Sequence, residues 1–100
     1  MELTIQQKKK LKAIAHGLHP VVIIGQQGIK ETIHEEIDNA LSYHQLLKVK
    51  IIGEKQERDK LSILIAKKHH SKIIQSIGSI VVFYRRNEDK NDILKNKLKS

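Results

Sequence analysis

Apolar residues recur along this chain with two alternating periods. Thr4 and Gln7 stand three apart as a capping box, each side chain placed to satisfy the other's backbone N–H, just ahead of Leu11, Ile14, Ala15 and Leu18. The i, i+3, i+4, i+7 spacing predicts a helix with one buried face, ended by Gly17 and Pro20. Val21, Val22, Ile23 and Ile24 are β-branched and too few for a helix, so they read as a strand buried on both faces. Helical spacing returns after Ile29, with Ile33, Ile37, Ala40 and Leu41 inward and Glu31, Glu35 and Asp38 outward, ending near Tyr43 and His44. Residues 46–52 alternate as a second strand, which Gly53 breaks. Strand, helix and strand in this order imply a right-handed parallel crossover.

Residues 56–70 fit both periods, since Leu61, Leu64 and Ile65 suit a helix while Leu61, Ile63 and Ile65 suit a strand. The segment's length and charged flanks select the helix. Residues 72–77 and 80–84 are the last two strands, joined by Gly78 and Ser79 as a two-residue hairpin turn, with Phe83 and Tyr84 on opposite faces. Beyond them, Ile93, Leu94 and Leu98 are the only apolar anchors among alternating charges, which defines a charged C-terminal tail over residues 87–100. The fold class is α/β, a single domain over residues 1–86 in the order α-β-α-β-α-β-β.

A chain of 100 residues has room for one core. It contains no cysteine, which excludes a disulfide framework, a thiolate metal site and a cysteine nucleophile, and fits a reducing compartment. The longest apolar runs, residues 20–24 and 80–84, fall far short of the roughly 20 residues that span a bilayer. Glu2 and the lysines at 8, 9, 10 and 12 leave no apolar core for a signal peptide. A cytoplasmic protein without membrane contact is expected.

Charge narrows the function. The formal net charge is +8 and the isoelectric point about 9.8, which points to a polyanionic partner, nucleic acid first. The charge is uneven: residues 31–45 carry −4 while residues 61–86 carry +5, so folding must assemble the basic surface.

Gly25, Gln26, Gln27 and Gly28 form a G-x-x-G loop between a strand and a helix, where glycine lets a backbone approach a ligand closely and the helix offers unpaired N–H groups. The same spacing also serves as a tight strand-to-helix turn. Lys30 immediately after it, and the lysine-rich first helix before it, favour a phosphate-contacting loop of the kind that clamps nucleic-acid backbone in KH modules. Lys9, Lys12 and His16 form a helical stripe facing largely away from the apolar one, flanked by Lys8 and Lys10, and suit backbone phosphate contact.

The chain lacks both the G-x-x-x-x-G-K-[ST] and the G-x-G-x-x-G phosphate loops, so no nucleotide cofactor or small-molecule substrate is expected. Tyr43, Phe83 and Tyr84 are few aromatics for a stacking surface, which favours recognition of backbone and shape. His16 and His19, or His69 and His70, lack the cysteines that would complete a tetrahedral metal site. Glu35, Glu36 and Asp38 have no neighbouring nucleophile and read as a solvated acidic face that turns nucleic acid towards the other side.

Leu11-Lys12, Ala15-His16, residues 20–22, the 25–28 loop, Glu36-Ile37, Ala40-Leu41, residues 44–50, Gln75-x-Ile77-Gly78 and Val82-x-Tyr84-Arg85 follow in order. Together they resemble the CRM domain (chloroplast RNA splicing and ribosome maturation) in its short bacterial, YhbY-like form. The resemblance implies a four-stranded mixed sheet packed by helices, similar to the C-terminal domain of translation initiation factor three. Bacterial members of that family are associated with precursors of the large ribosomal subunit, and plant organellar relatives with group II intron splicing. It also implies an RNA-binding surface made of the 25–28 loop and basic residues around it, including Lys8, Lys12 and Arg85. His19 stands where relatives often carry Lys, Lys30 where they often carry Thr, and His70 where a small residue, often Gly, closes the third helix.

The expected function is non-enzymatic binding of structured ribosomal RNA in large (50S) subunit assembly. Lys8, Lys9, Lys12, His16, Gly25, Gln26, Gln27, Gly28, Lys30 and Arg85 are the contacts, with no cofactor or metal. No heptad seam marks a coiled-coil partner, so a monomer is expected. The competing reading is a protein-interaction module with incidental nucleic-acid affinity. Against it, the Lys9, Lys12 and His16 stripe carries no apolar residue of the kind a docking helix exposes.

Overall fold

Residues 2–95 are described by the computed structural model, as α1 (Ile5–His16), β1 (Val22–Ile24), α2 (Glu31–His44), β2 (Leu46–Ile51), α3 (Lys55–Lys68), β3 (Lys72–Ile77), β4 (Ile80–Tyr84) and a short 3-10 turn at Ile93–Lys95. The four strands form one mixed sheet in the order β1-β2-β4-β3. β1 runs parallel to β2 through the α2 crossover, and β4 is antiparallel to both β2 and β3. The segment that fits two periods is the helix α3, and residues 72–84 form the expected hairpin, with Ile77 opposite Ile80.

Alternation along the strands splits the core in two. On one face α2 and α3 bury Ile37, Leu41 and Ile65 against Val22, Ile24, Leu47, Val49, Ile51, Val81 and Phe83. On the other, α1 buries Leu11 and Ala15 against Leu46, Ile74, Val82 and Tyr84. Phe83 and Tyr84 therefore lie on opposite faces, and both faces are core there. The capping box of α1 is present: Gln7 N–H donates to Thr4 Oγ1 at 3.0 Å and Thr4 N–H to Gln7 Oε1 at 2.8 Å.

The first strand departs from its expectation of burial on both faces. Val22 and Ile24 are buried, but Val21 and Ile23 are 62% and 58% exposed. β1 is an edge strand, and α1 lies over Leu46, Val82 and Tyr84, towards the other end of the sheet. Nothing among the described residues covers the outer face of β1.

Helix ends show where side chains are under backbone constraint. Gln45 closes α2 at φ 65° and His70 follows α3 at φ 52°, both in the left-handed region.

Residues 87–95, the described part of the C-terminal tail, fold back on the domain. Buried Gln45 donates through Nε2 to the Asn91 carbonyl and accepts at Oε1 from Arg86 and the Asn87 N–H. Asn87 donates to the Ser42 carbonyl, while Ile93 and Leu94 pack beside α1. Leu98, the last apolar anchor of the tail, lies outside the described residues.

Candidate nucleic-acid interface

The 25–28 loop leaves the sheet where β1 and β2 end together, at the Ile24 and Ile51 pair. The Gly28 N–H donates to the Gly25 carbonyl at 3.2 Å, closing a turn over Gln26 and Gln27, and all four residues are exposed. The glycines differ in what the fold asks of them. Gly28 has φ +88°, which an L side chain adopts only with strain, whereas Gly25 has no such backbone and an added Cβ would meet nothing within 4 Å. The local fold thus explains glycine at 28 and leaves 25 free for close approach by a ligand.

Lys30 is the N-cap of α2 and makes no side-chain capping bond, so its ammonium stays exposed beside the loop. A cleft of about 380 Å³ adjoins the loop, lined by Gly25, Gln26 and Gly28 on one side and by Ile52, Arg58, Lys60 and Leu64 on the other. Arg58 and Lys60 were invisible as loop neighbours in the sequence, because only packing of α3 against the β2 end brings them there. Arg58 also donates through Nη1 to the Gly53 carbonyl, which holds its guanidinium at this end of the sheet.

Lys8, Lys9, Lys12 and His16 are all exposed on α1. The helix has two distinct flanks. Lys10 donates to the Leu94 carbonyl and Ile14 packs beside Ile93 and Leu94, so that flank is covered by the C-terminal segment. Helical spacing places Lys8 and Lys12, one turn apart, on the opposite flank, away from the C-terminal segment and from the end where β2 begins. Lys48 is differently used: its ammonium donates to the Ala15 and Leu18 carbonyls at 2.9 and 3.2 Å and ties down the C-terminus of α1.

Arg85 sits elsewhere. It follows Tyr84, whose partner is Leu46, whereas the loop follows Ile24, whose partner is Ile51. The length of β2 separates them, about 17 Å at the usual rise of a strand. Its guanidinium is committed within the protein, donating to Asp38 Oδ1 at 2.8 Å, Ser42 Oγ at 2.8 Å and the carbonyls of His69 and Asp38 at 3.0 Å. The structure does not bring Arg85 together with the loop.

That end also holds a buried imidazole pair that sequence reading did not find. His34 Nδ1 and His69 Nε2 are 2.9 Å apart, and His69 Nδ1 is 3.9 Å from Asp38 Oδ1. We assign the tautomer in which His69 Nδ1–H faces Asp38, so that His69 Nε2 accepts from His34 Nδ1–H. Burial pushes both histidines below the usual imidazole range, and the cations Lys68 and Arg85 add to this. The hydrogen bond from Arg85 holds the Asp38 carboxyl below its ordinary range. Asp38 stays exposed, as expected of a solvated acidic face, and in addition pairs with Arg85.

Among the described residues no group of three or more His, Cys, Asp or Glu is placed to hold a metal ion, and no helix is long and apolar enough to cross a membrane.

Known proteins are similar to this chain in sequence and in fold. A protein of Haemophilus influenzae named as an RNA-binding protein is 42% identical over 88 residues, covering 87% of this chain and 89% of that one. A Pseudomonas aeruginosa protein named as a probable RNA-binding protein is 38% identical over 97 residues, covering 96% of this chain and 93% of that one. The solution structure of a Staphylococcus aureus protein, described as a candidate RNA-binding protein, superposes with a TM-score of 0.78 at 31% identity over 90% of this chain and 95% of that one. The model of the CRS1 / YhbY (CRM) domain matches residues 3–85, nearly every element of the fold, and the chain belongs to that family.

Proposed function

We infer that this protein is a non-catalytic RNA-binding protein whose target is structured ribosomal RNA, in the setting of large-subunit assembly. The 25–28 loop would lie against the RNA backbone, and the α1 lysines would neutralise phosphates beside it. The observation that carries this reading is Gly25, a glycine the fold does not require, exposed in a loop flanked by uncommitted cations. The names of the relatives in Haemophilus and Pseudomonas support RNA as the partner class. Lys8, Lys9, Lys12, His16 and Lys30 are exposed, as phosphate contact requires. Arg85 stands apart from these contacts, because its guanidinium is bonded to Asp38, Ser42 and the His69 carbonyl at the other end of the sheet.

The test is affinity for a large-subunit ribosomal RNA fragment as a function of salt. If some six phosphates are neutralised, log affinity falls against log salt with a slope of about −5. Crosslinking in cells should enrich one region of large-subunit RNA, and Gly25→Val should remove that enrichment. A diffuse spread over all RNA, unchanged by the substitution, contradicts the assignment.

A further inference from the structure

The sheet face beside α1 is only half covered, and its uncovered half is chemically ordered. Strand register aligns Ile23 of β1 with Lys50 of β2, Lys50 with Ile80 of β4, and Ile80 with Ile77 of β3. These four side chains make one row across the whole sheet, on the face opposite α2 and α3. Ile23 and Ile77 are 58% and 64% exposed and Lys50 is exposed at the centre, with Val21 adding a further exposed aliphatic at the β1 edge. Ile80, between Lys50 and Ile77, is half-buried. Single exposed aliphatics are ordinary, but several gathered on one open sheet face around a lysine suit a contact surface.

The row lies between the two parts of the proposed interface. Ile80 is two residues from Val82, which α1 covers, and Ile23 is two residues from Gly25, each step being about 7 Å. A polyanion reaching from Lys8 and Lys12 to the loop crosses this row. Resting on the RNA-binding reading, we propose that the row Ile23, Lys50, Ile80 and Ile77 is a platform for unpaired nucleotides, taking bases or ribose on its aliphatics and a phosphate on Lys50. A duplex presents phosphates and groove edges and would leave aliphatics without partners, whereas unpaired RNA offers the flat faces of its bases. A protein partner fits less well, because interface cores are depleted in lysine and favour aromatics, and this row has lysine at its centre and no aromatic.

Affinity measured by fluorescence anisotropy, for an unpaired oligonucleotide and for a hairpin duplex of equal length, tests the proposal. The double variant Ile23→Thr with Ile77→Thr keeps β-branching at exposed strand positions, and circular dichroism checks its fold. It should weaken binding of the unpaired oligonucleotide about three- to tenfold, leave the duplex unaffected and leave the salt slope unchanged. Lys50→Gln should reduce the slope for the unpaired strand by about 0.7. Unchanged affinity in the double variant, alongside weakened binding by Gly25→Val, overturns the platform and keeps the loop. No change in either variant overturns both. A wild-type dimer that the double variant dissociates makes the row a protein interface and also overturns the proposal.

Discussion

The two ends of the sheet use positive charge in opposite ways. Where β2 begins, Arg85 is bonded to Asp38, Ser42 and the His69 carbonyl, and Arg86 to Gln45 and the Lys90 carbonyl. Where β2 ends, the loop is bordered by Lys30 and Lys60, both exposed, and Lys8 and Lys12 are exposed on the flank of α1 that the C-terminal segment leaves open. Arginine, with its planar fork of donors, locks helices and carbonyls together at the first end. Lysine, a mobile and strongly hydrated point charge, stays uncommitted at the second. The proposed interface therefore rests on which cations lack protein partners and not on how many cations there are.

Substitution at the committed end should give the largest effect. Arg85→Ala removes several hydrogen bonds and an ion pair that joins α2 to the end of β4, and should cost about 2 kcal/mol of stability. Urea unfolding measures this, while RNA affinity of the folded protein should stay within twofold of the wild type. A loss of affinity at unchanged stability would return Arg85 to the interface.

At the uncommitted end the sign reverses. Gly25→Val should weaken RNA binding about tenfold, roughly 1.4 kcal/mol, with a small change in melting temperature, because the added side chain has open space. Gly28→Val is the less clean probe, since a β-branched residue at φ +88° adds backbone strain to any lost contact.

Much of this contrast was legible in the sequence and part was not. Periodicity placed the helices and strands because each amphipathic stripe meets its own face of the sheet, and the capping box fixed the start of α1. Strand pairing order was not legible, so Val21 and Ile23 looked like core when they belong to an edge strand with one open face. The loop and the α1 lysines could be found from local pattern. Arg85 could not be separated from them, because its partners Asp38, Ser42 and His69 are far away in sequence and meet it only after folding. His34 and His69 were hidden for the same reason: they are 35 residues apart and pair only where α2 meets α3.

The histidine pair sharpens the comparison through pH. Both imidazoles are pushed below their ordinary range, so between the folded and unfolded values the unfolded chain binds more protons. Stability should be full above the ordinary histidine value of about 6.5 and fall as the pH drops below it. The Asp38 carboxyl, held low by Arg85, adds a further loss only at more acidic pH, below about 4. Urea midpoints at pH 7.5 and 5.5 check the first window, and His34→Gln should reduce the difference between them. A midpoint that rises on acidification would contradict the assigned neutral pair.

The smallest expected effect is a single lysine. Lys12→Gln should leave stability unchanged and reduce the salt slope of RNA binding by somewhat less than one, the share of one phosphate contact. Lys48→Gln, by contrast, should loosen the end of α1, since that ammonium serves two carbonyls.

Amide chemical-shift mapping during titration with a large-subunit ribosomal RNA fragment tests the central claim most directly. Shifts concentrated at residues 25–30, along Lys8 to His16 and across Ile23, Lys50 and Ile77, with Arg85, Arg86 and Asn87 silent, are the predicted result. Shifts centred on Arg85 to Asn87 with the 25–28 loop silent would contradict it, and would move the interface to the opposite end of the sheet.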